Sequence, residues 1–500
     1  MSRLGSEQAL SPAGVFAEDS RGSVRQWLPL LAVVLAPVAG AAAAVDPKLL
    51  VGGAAALGVL VLAFRKPVAN VALLVFLTAV VPFQVLNRFS VGGGINSPGL
   101  LLSDLFLLSG LAWAALTLPS LPLDRRRYLY AIAMVVFLAL VIAQFLHGLR
   151  AGYDRSVVGQ EGRVLLGFGT YLIALPLLAH APSRRRLLGA LSVVALLLGA
   201  WGMVQWLGHF SFGAAGDVGV RSGVRLTSGG SGQLQGGEFA FPVAIVVCFA
   251  ALAFGSIRSR LWRGVLAAAI ALNVASCLVT FERSFWLDAL AGVAVVLTLA
   301  PSGRRLKVFA TLAAAAVLGV GALSVLSPST LTTAHQRLNS ISSYASDSSV
   351  RYRVVESELV YDRIRAHPLA GSGLGATMLW GQPWARVRPK LQHYSHDGYL
   401  WLAWKTGIPA VALLVLLLVG TLFGRTRRDE QPLSAAVRRG AQGAIAGLLI
   451  ATVTFPSFSQ LGITPTIGLL LALAVSPTLR EPSGGRATQR ADRSVALSAR

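Results

Sequence analysis

The run His393-Tyr394-Ser395-His396-Asp397-Gly398-Tyr399-Leu400 places an imidazole where chemistry could be done. His396 stands just before a long apolar stretch, at an expected membrane–water boundary, with Asp397 next to it. Imidazole titrates near neutrality, so a histidine there suits general-base work on a sugar hydroxyl. The plainer reading is a surface or helix-capping histidine. His393 and His396 could share a metal if they lay on one helical turn, but no further Cys/His cluster stands nearby to complete a site. No metal and no cofactor are expected.

Arg283 is the second candidate. It sits in a very short turn, Glu282-Arg283-Ser284, between two apolar runs. A charge near the membrane is costly, ~2.5–3.5 kcal/mol at a span centre and less at the interface. Arginine clamps phosphate because its planar fork donates in pairs. The competing reading is a snorkelling arginine paired with Glu282 or Asp288. Arg221 and Arg225 flank a segment rich in glycine, with Gly-Gly-Ser-Gly at 229–232 and Gly236-Gly237. Backbone amides and guanidinium groups there could hold a pyrophosphate, or the segment is a solvated loop. Asp104 and Asp288, near span ends, fit helix-to-helix hydrogen bonding, and Arg150, Asp154, Arg155, Glu161 and Arg163 form a mixed cluster of structural character. A Walker motif, a metal-binding Asp-x-Asp pair and a Gly-x-Ser-x-Gly elbow are absent. Energy for a reaction outside the cytoplasm must then arrive with an activated substrate, such as a polyprenyl-pyrophosphate-linked glycan.

These residues are positioned by an apolar framework. Of 500 residues 54% are hydrophobic and only 13% charged, with mean hydropathy +0.65. A soluble protein carries about 25% charge. The apolar residues form runs of the length that crosses ~30 Å of hydrocarbon. About fourteen spans are expected, near 27–45, 49–64, 68–86, 98–118, 128–148, 161–180, 187–207, 238–255, 262–281, 285–301, 305–326, 398–423, 440–456 and 460–477. The net charge of +23 does not point to nucleic acid, because the basic residues cluster between apolar runs. Arg65-Lys66, Arg125 to Arg127, Arg184 to Arg186, Arg258/Arg260/Arg263, Arg304-Arg305/Lys307 and Arg425 to Arg439 fall in every second loop. This is the positive-inside pattern, with both termini cytoplasmic in a plasma (inner) membrane. Cys248 and Cys277 stand alone in separate runs and read as small hydrophobes. The first run ends in Ala41 to Ala44 and could pass for a signal peptide, but nothing soluble follows it, so retention is expected.

The expected fold is an all-α polytopic membrane protein with one large extracytoplasmic loop. Its parts are a cytoplasmic tail (1–26), an N-terminal transmembrane bundle (27–326), the loop (327–397), C-terminal transmembrane helices (398–479) and a second tail (480–500). Connections between helices ordinarily run to ~2–8 residues; this loop is far longer and holds His335, His367, His393 and His396, four of the seven histidines. Ser348-Ser349 can cap a helix from about Val350 to Ala366, with Val350, Val354, Val355, Leu359 and Ile364 near one face. Pro368 ends it, and Gly371, Gly373 and Gly375 make a turn-rich stretch.

These segments resemble the O-antigen ligase and polymerase family, which shares a C-terminal domain; the similarity is clearest over 220–410. Arg351 through Gly375 is similar to that family's arginine-led loop helix and its Pro-Leu-x-Gly-x-Gly-x-Gly turn. His396-Asp397-Gly398-Tyr399-Leu400, with Gly407 downstream, resembles its His-Asn-x-Tyr-Leu motif, and Leu278 to Leu290 its span carrying Ser-Arg-Gly. Arg225 before a glycine-rich segment resembles the arginine that precedes Gly-x-Phe. Asp397 departs from the usual amide, and Glu282/Ser284 from the usual Ser and Gly. The resemblance implies a metal-independent extracytoplasmic glycosyltransferase, inverting at the sugar. Its donor would be a glycan on undecaprenyl pyrophosphate and its acceptor a glycan or lipid-glycan in the bilayer. Arg225 and Arg283 would act on the pyrophosphate and His396 on the acceptor hydroxyl, with Arg221, Arg351, Asp397 and Tyr399 toward the substrates. The motifs do not separate ligase from polymerase. The rival class is a polysaccharide or lipid-linked-oligosaccharide transporter or flippase, which would predict charges at mid-membrane and paired inverted halves.

Overall fold

The computed structural model describes residues 47–81, 85–86, 99–207, 240–280, 282–300, 303, 305–306, 309, 332, 348–380, 390–424 and 430–476. The expected runs at 27–45 and nearly all of 305–326, and the glycine-rich segment with Arg221 and Arg225, lie outside them. The chain divides into two compact units, Met1–Val61 and Leu62–Arg500. In the first, the described structure is the start of helix α1 (Pro47–Arg65).

The second unit is built from helices. Before the loop these are α2 (Pro67–Ala79), α3 (Leu102–Thr117), α4 (Arg125–Arg150), α5 (Arg155–Leu166), α6 (Thr170–Ala179), α7 (Ala181–Leu207), α8 (Ala240–Phe254), α9 (Arg260–Val279) and α10 (Arg283–Leu299). Local chemistry sets several starts. Asp124 accepts from Arg127 N–H at α4, Asp154 from Ser156 N–H at α5, and Ser259 from Trp262 N–H at α9. Five described helical stretches are long and apolar enough to cross a membrane: Leu102–Ser120, Arg125–Arg150, Arg155–Ala179, Ala181–Leu207 and Arg260–Val279. The third of these joins α5 and α6 through a 3-10 turn, Gly167–Gly169. Shorter apolar helices include α2, α8, α13 (Ile408–Leu422) and α15 (Thr464–Val475). α6 and α15 are buried on every side, as helices apolar all round must be, and they pack on each other at the centre.

After the loop the fold departs from expectation twice. The apolar run at 398–423 is two helices, α12 (Gly398–Thr406) and α13, broken at Gly407. Gly407 has φ +84°, which a side chain rarely adopts, and a Cβ there would collide with the Leu369 carbonyl. Helix α14 (Pro432–Ala451) starts earlier than the expected span at 440. Pro432 at its first turn needs no N–H partner, so Arg438 falls inside the helix, where it is buried and paired with Glu430.

The loop holds α11 (Ser348–Ala366) and a two-stranded antiparallel hairpin, β1 (Met378–Trp380) and β2 (Lys390–Gln392), with Leu379 opposite Leu391. The hairpin was not expected from the sequence. The buried face of α11 also differs from the expected one. Glu356, Val360 and Ile364, spaced by four, point inward, whereas Val354 is 52% exposed.

Candidate active site

His396 lies one residue before the cap of α12. Asp397 is that cap: its Oδ1 accepts from Tyr399 N–H at 2.8 Å and Leu400 N–H at 2.9 Å. The cap holds the backbone of the His-Asp-Gly-Tyr run and leaves the imidazole to other partners. Burial pushes the Asp397 carboxyl above the usual carboxylate range; the two N–H donors oppose that rise, and the charge of Glu356 adds to it.

Glu356 is the partner that sequence reasoning missed. It is fully buried on α11, forty residues upstream, and its Oε2 takes both His396 donors. The His396 main-chain N–H reaches it at 2.8 Å and Nδ1 at 2.9 Å. Its Oε1 accepts from Gln392 Nε2 at 2.7 Å, tying in β2. With Nδ1–H donated to the carboxylate, the lone pair sits on Nε2. Nε2 faces the Tyr394 hydroxyl at 3.1 Å, and the Tyr352 ring stands edge-on to the imidazole at 5.4 Å. A carboxylate that holds an imidazole in one tautomer and stabilises its charged form is the arrangement of a general base. The available signal was the four-residue spacing of Glu356, Val360 and Ile364, which places a carboxylate in the middle of an inward face.

His393 takes no part in this pair. Its carbonyl accepts from Trp401 Nε1, and burial, with the Lys405 charge, pushes its imidazole down to about 4. Tyr399 donates its hydroxyl to the Leu449 carbonyl at 2.6 Å and packs edge-on to Phe458.

The glycine turn bolts the loop to the bundle. Gly371, Gly373 and Gly375 all have positive φ. Ser372 N–H donates to Trp404 O, Gly373 N–H to Lys405 O, and Leu374 N–H to Gln144 O on α4. Gly375 N–H donates to Glu161 Oε2 at 2.6 Å, and Glu161 Oε1 pairs with Lys405 Nζ at 2.8 Å, both side chains fully buried. Such a pair needs every remaining group satisfied, and the Ala376 carbonyl also accepts from Lys405 Nζ. Glu161 is thus a strut, as are Asp154, the cap of α5, and Arg163, which grips Asp104 at 2.8 Å.

Arg283 is the first residue of α10 and is half-buried. Next to it Ser284 Oγ meets Thr454 Oγ1 at 3.0 Å, and Phe285 stacks near Phe455 at 5.0 Å. The same turn after α14 receives α12: Gly398 N–H donates to Thr452 O at 2.9 Å. One short segment, 452–455, therefore seats the starts of both helices, and Arg283 and His396 belong to one end of the bundle. Arg351 lies on the first turn of α11. Asp288, one turn beyond Arg283, is fully buried, and among the described residues neither carboxylate oxygen has a hydrogen-bond partner. The expected helix-to-helix hydrogen bond of Asp288 is therefore not formed there, whereas that of Asp104 is.

The fold and site describe a helical membrane protein that carries a carboxylate–histidine pair and an arginine at one end of its bundle. Residues 268–415 match the family model described as O-antigen ligase, which supports assignment to the O-antigen ligase family. The match runs from α9 through the loop into α13 and contains Arg283, Arg351, Glu356, His396, Asp397 and Tyr399; Arg221 and Arg225 precede it. No curated protein matches the chain.

Proposed function

We propose that the protein is an extracytoplasmic, metal-independent glycosyltransferase that moves or polymerises a glycan from an undecaprenyl-pyrophosphate donor onto a glycan or lipid-glycan acceptor. The observation that carries this reading is the buried Glu356 on the Nδ1 side of His396, within the matched family segment. The acceptor hydroxyl attacks the anomeric carbon as Nε2 of His396 takes its proton. The C1–O bond to the pyrophosphate breaks on the opposite face, inverting the sugar, and the bonding pair leaves with the polyprenyl pyrophosphate. Arg283, with Arg225, neutralises the charge that develops on that leaving group. Arg221 and Arg351 bind the substrates.

The orientation is supported by distance. Buried Arg184 donates to Ser434 Oγ at the start of α14, while Thr452 and Thr454 follow its end beside Gly398 and Ser284. Twenty residues of helix separate these levels by about 30 Å, one membrane thickness. The basic end is then cytoplasmic by charge, as are both termini, and the His396 end lies outside in the plasma membrane.

The test is glycan transfer from a purified lipid-linked donor in nanodiscs. His396→Ala should lower turnover by ~10²–10⁴ with folded protein retained. Full transfer by that variant would remove the enzyme reading. It would leave a lipid-linked-oligosaccharide transporter, which the buried carboxylate of Asp288 in α10, without a hydrogen-bond partner among the described residues, favours.

A further inference from the structure

A second cavity lies at the other end of the bundle. An apolar groove of about 390 Å³ runs between α7, α8, α9, α14 and α15. Its floor is Ala195, Leu198, Ala244, Cys248, Leu469 and Leu470, all buried. Along α7 it extends from Arg185 to Leu198, about 20 Å at the helical rise. That length exceeds the ~15 Å of one leaflet's hydrocarbon, so the groove suits an extended hydrocarbon chain better than a compact ligand.

Charge decides what that chain carries. Arg185 is the one charged residue among those lining the groove, and it stands at the rim, exposed. Trp262, 38% exposed, lines the same rim. α7 and α9 run parallel here, since Asn273 Nδ2 donates to Ala195 O and Ser276 Oγ to Gly199 O. The exposed Arg260 and Arg263 on the first turn of α9 are therefore level with Arg185. An apolar slot with an arginine and a tryptophan at its mouth, and two more exposed arginines at the same level, matches a lipid with an anionic headgroup at the interface. The donor is a poor fit, because its pyrophosphate must meet Arg283 and His396 at the opposite end of α14.

We propose that this groove binds one anionic glycerophospholipid, its phosphate at Arg185 and one acyl chain along α7 and α8. The purified full-length protein is titrated with palmitoyl-oleoyl phosphatidylglycerol and, separately, phosphatidylcholine, and bound lipid is counted by native mass spectrometry. Phosphatidylglycerol should be retained as one tight copy and phosphatidylcholine more weakly. Arg185→Ala, at an exposed position, should weaken phosphatidylglycerol binding by roughly fivefold, while Arg125→Ala, at an exposed arginine outside the groove, should not. Ala195→Trp should fill the floor and lower retention of both lipids, with a melting curve confirming that it folds. Equal retention of the two lipids, or wild-type retention by Arg185→Ala, would overturn the proposal. So would displacement of phosphatidylglycerol by an equimolar polyprenyl phosphate.

Discussion

Glu356→Gln is the sharpest test of the site. The glutamate accepts from His396 N–H and Nδ1 through one oxygen and from Gln392 Nε2 through the other. An amide cannot serve all three. If its oxygen faces His396, its NH₂ faces the Gln392 NH₂, two donors in contact. If its NH₂ faces His396, it opposes the main-chain N–H, and Nδ1 must become the acceptor. The second arrangement moves the ring proton to Nε2 and leaves no base toward Tyr394. Both lose the charge that stabilises the imidazolium. General-base contributions are ~10²–10⁴, and loss of the orienting carboxylate in a comparable pair costs up to ~10⁴. Turnover should therefore fall at least about a hundredfold, with KM nearly unchanged because no substrate contact is removed. Charge-assisted hydrogen bonds contribute ~1.5–3 kcal/mol each, so a lower melting temperature with a folded protein is also expected. The decisive measurement is a double-mutant cycle. Once His396→Ala has removed the base, adding Glu356→Gln should cost little more, because the two act as a unit. Independent multiplication of the two losses, or Glu356→Gln at more than half of wild-type turnover, would refute the positioning role.

Other outcomes follow from the same geometry. Arg283→Ala should slow transfer roughly tenfold to a hundredfold or more, since a charge-assisted bond contributes ~1.5–3 kcal/mol, and Arg283→Lys should rescue poorly; unchanged kinetics in both would make Arg283 an interfacial anchor. Gly407→Ala forces a side chain onto a positive φ and into the Leu369 carbonyl, a strain of at least ~1–3 kcal/mol, and thermal unfolding should show it; a wild-type melt would dissociate the glycine turn from the helix break. His393 binds a proton less readily folded, at about 4, than at the ordinary ~6.5. Its contribution to stability is complete above 6.5 and is lost as pH falls from there toward 4, so His393→Gln should flatten the fall in melting temperature over that window while sparing transfer at neutral pH.

Much of this architecture is written locally. Apolar runs of membrane length, arginines in alternate loops and capping residues such as Asp124 and Ser259 act within a few residues of themselves, so the described helices before the loop fall close to where hydropathy puts them. The positive-φ turn at Gly371, Gly373 and Gly375 is legible for the same reason: glycine adopts that backbone without a Cβ to clash. His396 stood out as a candidate by its place before an apolar run and by its motif. Its chemistry was not complete there. Glu356 sits among valines and arginines on a short polar helix and reads as a solvent-facing charge until that face is packed against β2 and the start of α12. Glu161 reads as one charge in a mixed cluster until Lys405 meets it in the core. The break at Gly407, the segment 452–455 beneath both Arg283 and His396, and the groove at Arg185 likewise depend on which faces meet. Hydropathy and capping are properties of a segment. The partner of a buried charge is a property of the packing, because only desolvation turns one carboxylate among many into the one that an imidazole must use.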